Sequence, residues 1–201
     1  MDSDFKIEEE YGELPDDADR YFEHYYSMLD AIEVMPKDEL QKTILAAAKG
    51  DRQAASDLSN QYLKKAARLA LEASGQGLLM EDLIGTANLA LAEGIAELER
   101  YVDTENPGDD LIALTEGYLV NRMQDAIEAA VKEEQDEIES DQMMADQVNR
   151  VADEAARLSK EYMRKVTPEE LAESTDLTVD EIRDVLRLLG NGKEDIDLKE
   201  E

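Results

Sequence analysis

Gly75-Gln-Gly-Leu-Leu-Met-Glu-Asp-Leu-Ile-Gly-Thr-Ala-Asn-Leu-Ala-Leu-Ala-Glu-Gly94 is the stretch on which the reading of this chain turns. Gly75 and Gly77 supply backbone freedom that other residues lack, so the segment opens on a turn. Leu83, Ile84, Leu89 and Leu91 then furnish the apolar positions of a helix from about Met80 to Tyr101, and all four are expected in the core.

Upstream of this helix the pattern is also helical. Residues 1–17 form an acidic arm with Pro15 near its end. Tyr21, Tyr25, Met28, Leu29 and Ile32 then recur at spacings of three and four. Pro36 interrupts, Leu40, Ile44, Leu45 and Ala48 resume the apolar face, and Gly50-Asp51 ends it. A third helix is predicted over 52–73, with Leu58, Tyr62, Leu63, Ala66, Leu69 and Ala70 inward.

Downstream, Asn106-Pro107-Gly108 marks a turn. A fifth helix is predicted from 110 to 139, with Leu111, Leu114, Tyr118, Leu119, Met123, Ile127 and Ala130 on one face, and a sixth from 142 to 164. Thr167-Pro168-Glu169-Glu170 has the pattern of a capping box with proline at the first helical position, and Thr178-Val179-Asp180-Glu181 repeats the cap. Two short helices, 168–174 and 179–189, therefore form a helix-turn-helix, with Leu171, Ala172, Leu177, Ile182, Val185, Leu186 and Leu189 as its small core. Gly190 stops the last helix, and 191–201 reads as a polar tail. No segment alternates like a strand, so the fold class is all-α.

Composition sets limits on function. The 201 residues carry 51 acidic and 21 basic side chains, a net charge of −30. A field of that sign repels phosphate backbones, whose neutralisation by Lys and Arg supplies most non-specific nucleic-acid affinity. It favours basic partners, and it also suits adaptation to high salt. There is no cysteine and one histidine, His24, which removes thiolate chemistry and disfavours a histidine-rich metal site. No phosphate loop, EF-hand loop or nucleophile elbow is present, so neither an enzyme nor a cofactor or metal site is expected. No leader or membrane-spanning apolar run is seen, and a soluble cytoplasmic protein is expected.

Glu81, Asp82, Leu83, Ile84, Asn88, Leu89 and Leu91 resemble the polymerase-gripping helix of the bacterial sigma-70 family of transcription factors. The resemblance continues in order. Tyr25–Asp51 is similar to the helices just before the family's core, and Arg52–Tyr101 to the first half of that core. Leu111–Glu133 is similar to the helix that recognises and melts the minus-ten promoter element. Gln142–Leu189 resembles region three, most closely at Ala145-Asp-Gln-Val-Asn-Arg150 and Thr167-Pro-Glu-Glu-Leu-Ala-Glu173. The family's fourth region has no counterpart. The resemblance implies a sigma-like helical domain over 18–140 and a small three-helix domain containing the helix-turn-helix over 141–190.

The resemblance also implies sites. Asp82, Gly85, Thr86 and Asn88 occupy the positions that contact the clamp of the largest subunit of core RNA polymerase; Gly85 and Thr86 depart from the family's residues. Gly85 also weakens the helix by about 1 kcal/mol relative to Ala, unless it marks close helix packing. Tyr118, Asn121, Arg122 and Gln124 fall on promoter-melting positions, where Asn121 and Arg122 replace paired tryptophans and Gln124 an arginine. Met143 and Asp146 fall on the His and Glu that read an extended promoter element. From Tyr101 to Ser140 there are 12 acidic side chains against 2 basic ones, so weak or absent DNA binding by the isolated protein is expected. Two readings follow. One is a divergent, truncated sigma-like transcription factor that binds core RNA polymerase and influences transcription initiation. The other is an acidic sigma-fold interaction or decoy protein that does not bind DNA.

Overall fold

The computed structural model describes residues 16–188 and Ile196, with side chains described from Phe22 onward. The arm at 1–15, the Tyr21 side chain, Leu189, Gly190 and the rest of the tail lie outside the described residues. The described chain is all-α. Among the described residues seven α-helices run in order: α1 Asp16–Leu29, α2 Lys37–Ala48, α3 Arg52–Glu72, α4 Met80–Ala96, α5 Leu111–Tyr162, α6 Pro168–Ser174 and α7 Val179–Leu188. The fourth helix ends earlier than the sequence reading places it, and a short 3-10 turn, Leu98–Arg100, follows. No described helix is long and apolar enough to cross a membrane.

The chain forms two compact units, Met1–Gln135 and Asp136–Glu201. In the first, α3 packs on α2 and α4, and α1 rests on α3 and α4. Local chemistry sets the starts. The Asp51 carboxylate caps α3 by accepting from the amides of Gln53 at 2.9 Å and Ala54 at 3.1 Å. Gly75 and Gly77 have φ of 78° and 113°, the left-handed region, which lets the chain reverse between α3 and α4. Leu58, Ala66, Ala70, Leu83, Leu91, Leu98, Leu119 and Met123 are fully buried at the centre of this unit. In α1 the buried aromatic is Phe22, which the sequence reading did not single out; Met28 is 53% exposed.

Two expected core positions are corrected. Leu89 is 63% exposed, because α4 buries Leu83, Ile84, Ala87, Ala90 and Leu91 on the opposite side. Leu114 is 70% exposed and Thr115 takes its place inside at 2%. The buried row of α5 in this unit is Leu111, Thr115, Leu119, Met123, Ile127 and Val131, a strict repeat of four. Such rows run obliquely across a helix and interdigitate with a crossing neighbour. Gly94 makes that approach close: a Cβ there would lie 2.9 Å from Leu119 Cδ2. Gly85, by contrast, has open space where its Cβ would be, so it does not mark helix packing.

The fifth and sixth predicted helices are one. α5 continues through 140–141 to Tyr162, because the chain holds neither Gly nor Pro between Tyr118 and Thr167. Its end is marked by Met163, whose φ is 57°. In the second unit Thr167 and Glu170 close the expected capping box. The Glu170 amide donates to Thr167 Oγ1 at 3.4 Å, and the Thr167 amide donates to Glu170 Oε2 at 3.0 Å. Val151, Ala155, Leu158, Val166, Leu171, Ile182, Val185 and Leu186 form the core of this unit. Ile196 joins it at 3% exposure and pairs in parallel with Val166 as an isolated bridge. The tail is therefore not uniformly polar and solvated: one of its residues completes an apolar core.

Candidate functional site

α4 presents one packed side and one open side. Met80, Leu83, Ile84, Ala87, Ala90, Leu91 and Ile95 are buried, while Asp82, Gly85 and Leu89 are exposed and Thr86 half-exposed. Leu79, the residue just before the helix, is 67% exposed. At about 100° per residue, Leu79, Asp82, Gly85, Thr86 and Leu89 fall on one stripe. Two exposed leucines and an aspartate thus flank a glycine that leaves the backbone uncovered.

Asn88 lies elsewhere. Six residues separate it from Asp82, which turns it about 120° away around the helix. Its side-chain amide donates to the Tyr25 hydroxyl of α1 at 3.0 Å. Its Oδ1 is buried without a hydrogen-bond partner. Asn88 is thus committed to a contact inside the unit, while Asp82, Gly85 and Thr86 stay together on the open face.

The positions matched to promoter contacts are also engaged internally. Tyr118 stacks on Tyr101, with ring centroids 3.9 Å apart and planes inclined by 28°. Its hydroxyl donates to Glu97 Oε2 at 3.2 Å. Burial, followed by the bond and charge of Glu97, pushes its pKa up to about 12. Arg122 reaches Glu97 at 3.5 Å and Glu93 at 3.7 Å through Nη2, while its Nε is buried without a partner. Asn121 and Gln124 are exposed, as are Met143, at 60%, and Asp146. On α7, Arg183 pairs with Asp180 and Glu169, and Arg187 with Asp184 at 2.6 Å. Every cation on that helix has a carboxylate beside it, which weakens any electrostatic claim on phosphate.

Sequence reasoning missed Leu79, Glu93, Glu97 and Tyr101. Leu79 sits one residue before the predicted helix and Tyr101 at its predicted last residue, so neither entered its apolar repeat. Glu93 and Glu97 gain meaning only when α5 brings Arg122 to them.

No group of three or more metal-ligating side chains gathers among the described residues. Beside the Tyr101–Tyr118 stack lies a pocket of about 280 Å³, walled by those two rings, Leu98, Val102, Pro107 and Leu111.

Residues 146–189 match the sequence model of sigma-70 region 3, which covers the end of α5, α6 and α7. The chain is also 25% identical over 150 residues to a protein described as RNA polymerase sigma factor SigA from a Bacillus species. That alignment takes in 75% of this chain, which spans 37% of the relative's length. The two matches, one confined to the second unit and one running through most of the chain, support a sigma-70 family relationship for this protein.

Proposed function

We propose that the chain is a sigma-70-like transcription factor that docks on core RNA polymerase through the open face of α4 and so influences transcription initiation. The observation that carries this reading is the stripe of Leu79, Asp82, Gly85, Thr86 and Leu89. Its two leucines stand 67% and 63% exposed on an element whose other side is fully packed. The two leucines bracket Asp82, Gly85 and Thr86, the positions matched to the family's clamp contact, and give a partner an apolar anchor at each end of that face. The relative named as an RNA polymerase sigma factor supports the choice of partner. Core RNA polymerase immobilised on resin tests it. The parent chain should be retained, and Asp82→Arg and Leu89→Glu should each weaken retention more than tenfold while keeping a parental circular dichroism spectrum. A parent chain that is not retained overturns the proposal.

The surroundings of Tyr118 favour a second reading, of an acidic sigma-fold protein that occupies its partner without contacting DNA. An aromatic ring stacks on unpaired bases only when its face is free. Tyr118 gives one face to Tyr101 and its hydroxyl to Glu97, and Arg122 is held by two carboxylates. A gel shift of promoter DNA, with and without core polymerase, separates the readings. A shift that needs both proteins supports the transcription factor, and retention on polymerase without any DNA shift supports the decoy.

A further inference from the structure

The pocket beside the Tyr101–Tyr118 stack has properties that the docking face of α4 does not use. Its floor and walls are apolar, from Leu98, Val102, Pro107 and Leu111. At about 280 Å³ it is smaller than the roughly 300–1,000 Å³ typical of small-molecule sites, and it suits one inserted side chain. Thr115 also lines it, 98% buried, and its Oγ1 has no hydrogen-bond partner. A buried hydroxyl left unsatisfied is costly, and the face of an entering aromatic ring gives it a weak acceptor. Tyr101, 62% exposed, offers a ring at the mouth.

The one charged side chain in the pocket wall, Asp103, is acidic. The segment 93–116 that builds most of the wall carries eight carboxylates and one basic residue, Arg100. Glu93 and Glu97 are paired with Arg122 and Glu116 with Lys65, and Asp103 and the carboxylates of the following turn, Glu105, Asp109 and Asp110, supply the negative charge beside the pocket. Asp103 belongs to the pocket wall and is exposed. It also holds the adjoining turn, accepting from the amides of Glu105 and Asn106 at 3.0 Å each. Anions are repelled from such a mouth, whereas a cationic segment is drawn to it, and a Lys or Arg passing over the open face of Tyr101 gains a cation–π contact.

We propose that this pocket is a docking site for a basic peptide segment of a partner protein, one aromatic side chain entering between Tyr101, Leu111 and Thr115 while flanking Lys or Arg residues meet Asp103 and the acidic turn that follows it. The charge supplies attraction to any cationic chain, and the pocket supplies selection for the anchor. Those two contributions separate experimentally.

Isothermal titration calorimetry of the full chain with the capped peptide Lys-Lys-Phe-Lys-Lys, its Lys-Lys-Ala-Lys-Lys control and a single-stranded oligothymidylate tests the proposal. The Phe peptide is expected to bind at least tenfold more tightly than the Ala peptide. Tyr101→Ala, at an exposed position, should abolish that tenfold preference and weaken the Ala peptide only by the lost cation–π contact, a factor of about five at most at an exposed ring. Asp103→Asn keeps the acceptor for the turn and should weaken both peptides equally. Equal binding of the two peptides by the parent, a preference that survives Tyr101→Ala, or tighter binding of the oligothymidylate than of the Phe peptide would each overturn the proposal. Circular dichroism of both variants shows whether a loss reflects the pocket; should Tyr101→Ala not fold, Leu114→Glu at the 70% exposed rim position replaces it, with the same expected loss of preference.

Discussion

The Asn88 amide donates to the Tyr25 hydroxyl at 3.0 Å and joins α4 to α1 across 63 positions of sequence. The bond is lopsided, because Asn88 Oδ1 beside it is buried and unpartnered. Removing either partner therefore has unequal effects. Asn88→Ala loses the bond but also removes the orphaned oxygen and improves helix propensity, so its net cost should stay within about 1 kcal/mol. Tyr25→Phe leaves the Asn88 amide with neither end satisfied and should cost more, about 1–3 kcal/mol. Urea denaturation of the two variants checks the order, and the reverse order would mean that the bond does not tie these helices.

The two glycines of α4 should respond in opposite directions. Gly85 is exposed with open space where a side chain would begin, so Gly85→Ala should stabilise by about 0.5–1 kcal/mol through helix propensity and a less flexible unfolded chain. At Gly94 a Cβ falls 2.9 Å from Leu119 Cδ2, and Leu119 is fully buried. Gly94→Val should destabilise by about 1–3 kcal/mol through overpacking. Thermal melts decide, and a Gly94→Val melt at the parental midpoint would show that α5 gives way freely.

Tyr118 carries an alkaline signature. Its folded pKa is about 12 against an ordinary 10, for burial and for its bond to Glu97. A raised folded value means that the folded state holds the proton longer. The stability it contributes is complete below pH 10 and disappears as the pH climbs through about 12. Tyr118→Phe should therefore delete one late-titrating phenol from the ultraviolet titration and reduce the loss of stability over that window. A missing phenol that titrates near 10 would contradict the Glu97 contact.

Ile196 should behave as a core residue. Ile196→Ala removes a side chain that is 3% exposed among Val166, Leu171 and their neighbours, and about 2–5 kcal/mol is expected. Hydrogen exchange of 151–186, compared between parent and variant, locates the effect. Unchanged protection there would return Ile196 to a solvated tail.

The local rules carried most of the fold. The Thr167–Glu170 box, the glycine turn and the apolar spacing on α3 each depend on a few neighbouring residues and are visible in one dimension. Thr115 and Leu114 show the limit, since hydropathy prefers the leucine and the oblique packing of α5 takes the threonine. The run Glu137–Asp141 is polar enough to read as a break, but polarity without Gly or Pro does not end a helix. For the candidate site, the helical register already set Asp82, Gly85 and Thr86 on one side. The commitments of Asn88 to Tyr25 and of Tyr118 to Tyr101 require distant or unpatterned partners that no spacing reveals.

The bridge between Val166 and Ile196 bears on how the second unit comes into being. A chain made from its N-terminus completes α7 eight residues before Ile196, and until that residue arrives the apolar centre shared by α5, α6 and α7 has a gap facing water. The helices are free to form early, but their final consolidation waits on that late arrival, and a nascent chain paused just short of Ile196 is a species with an open seam that handling proteins of the cell can grasp.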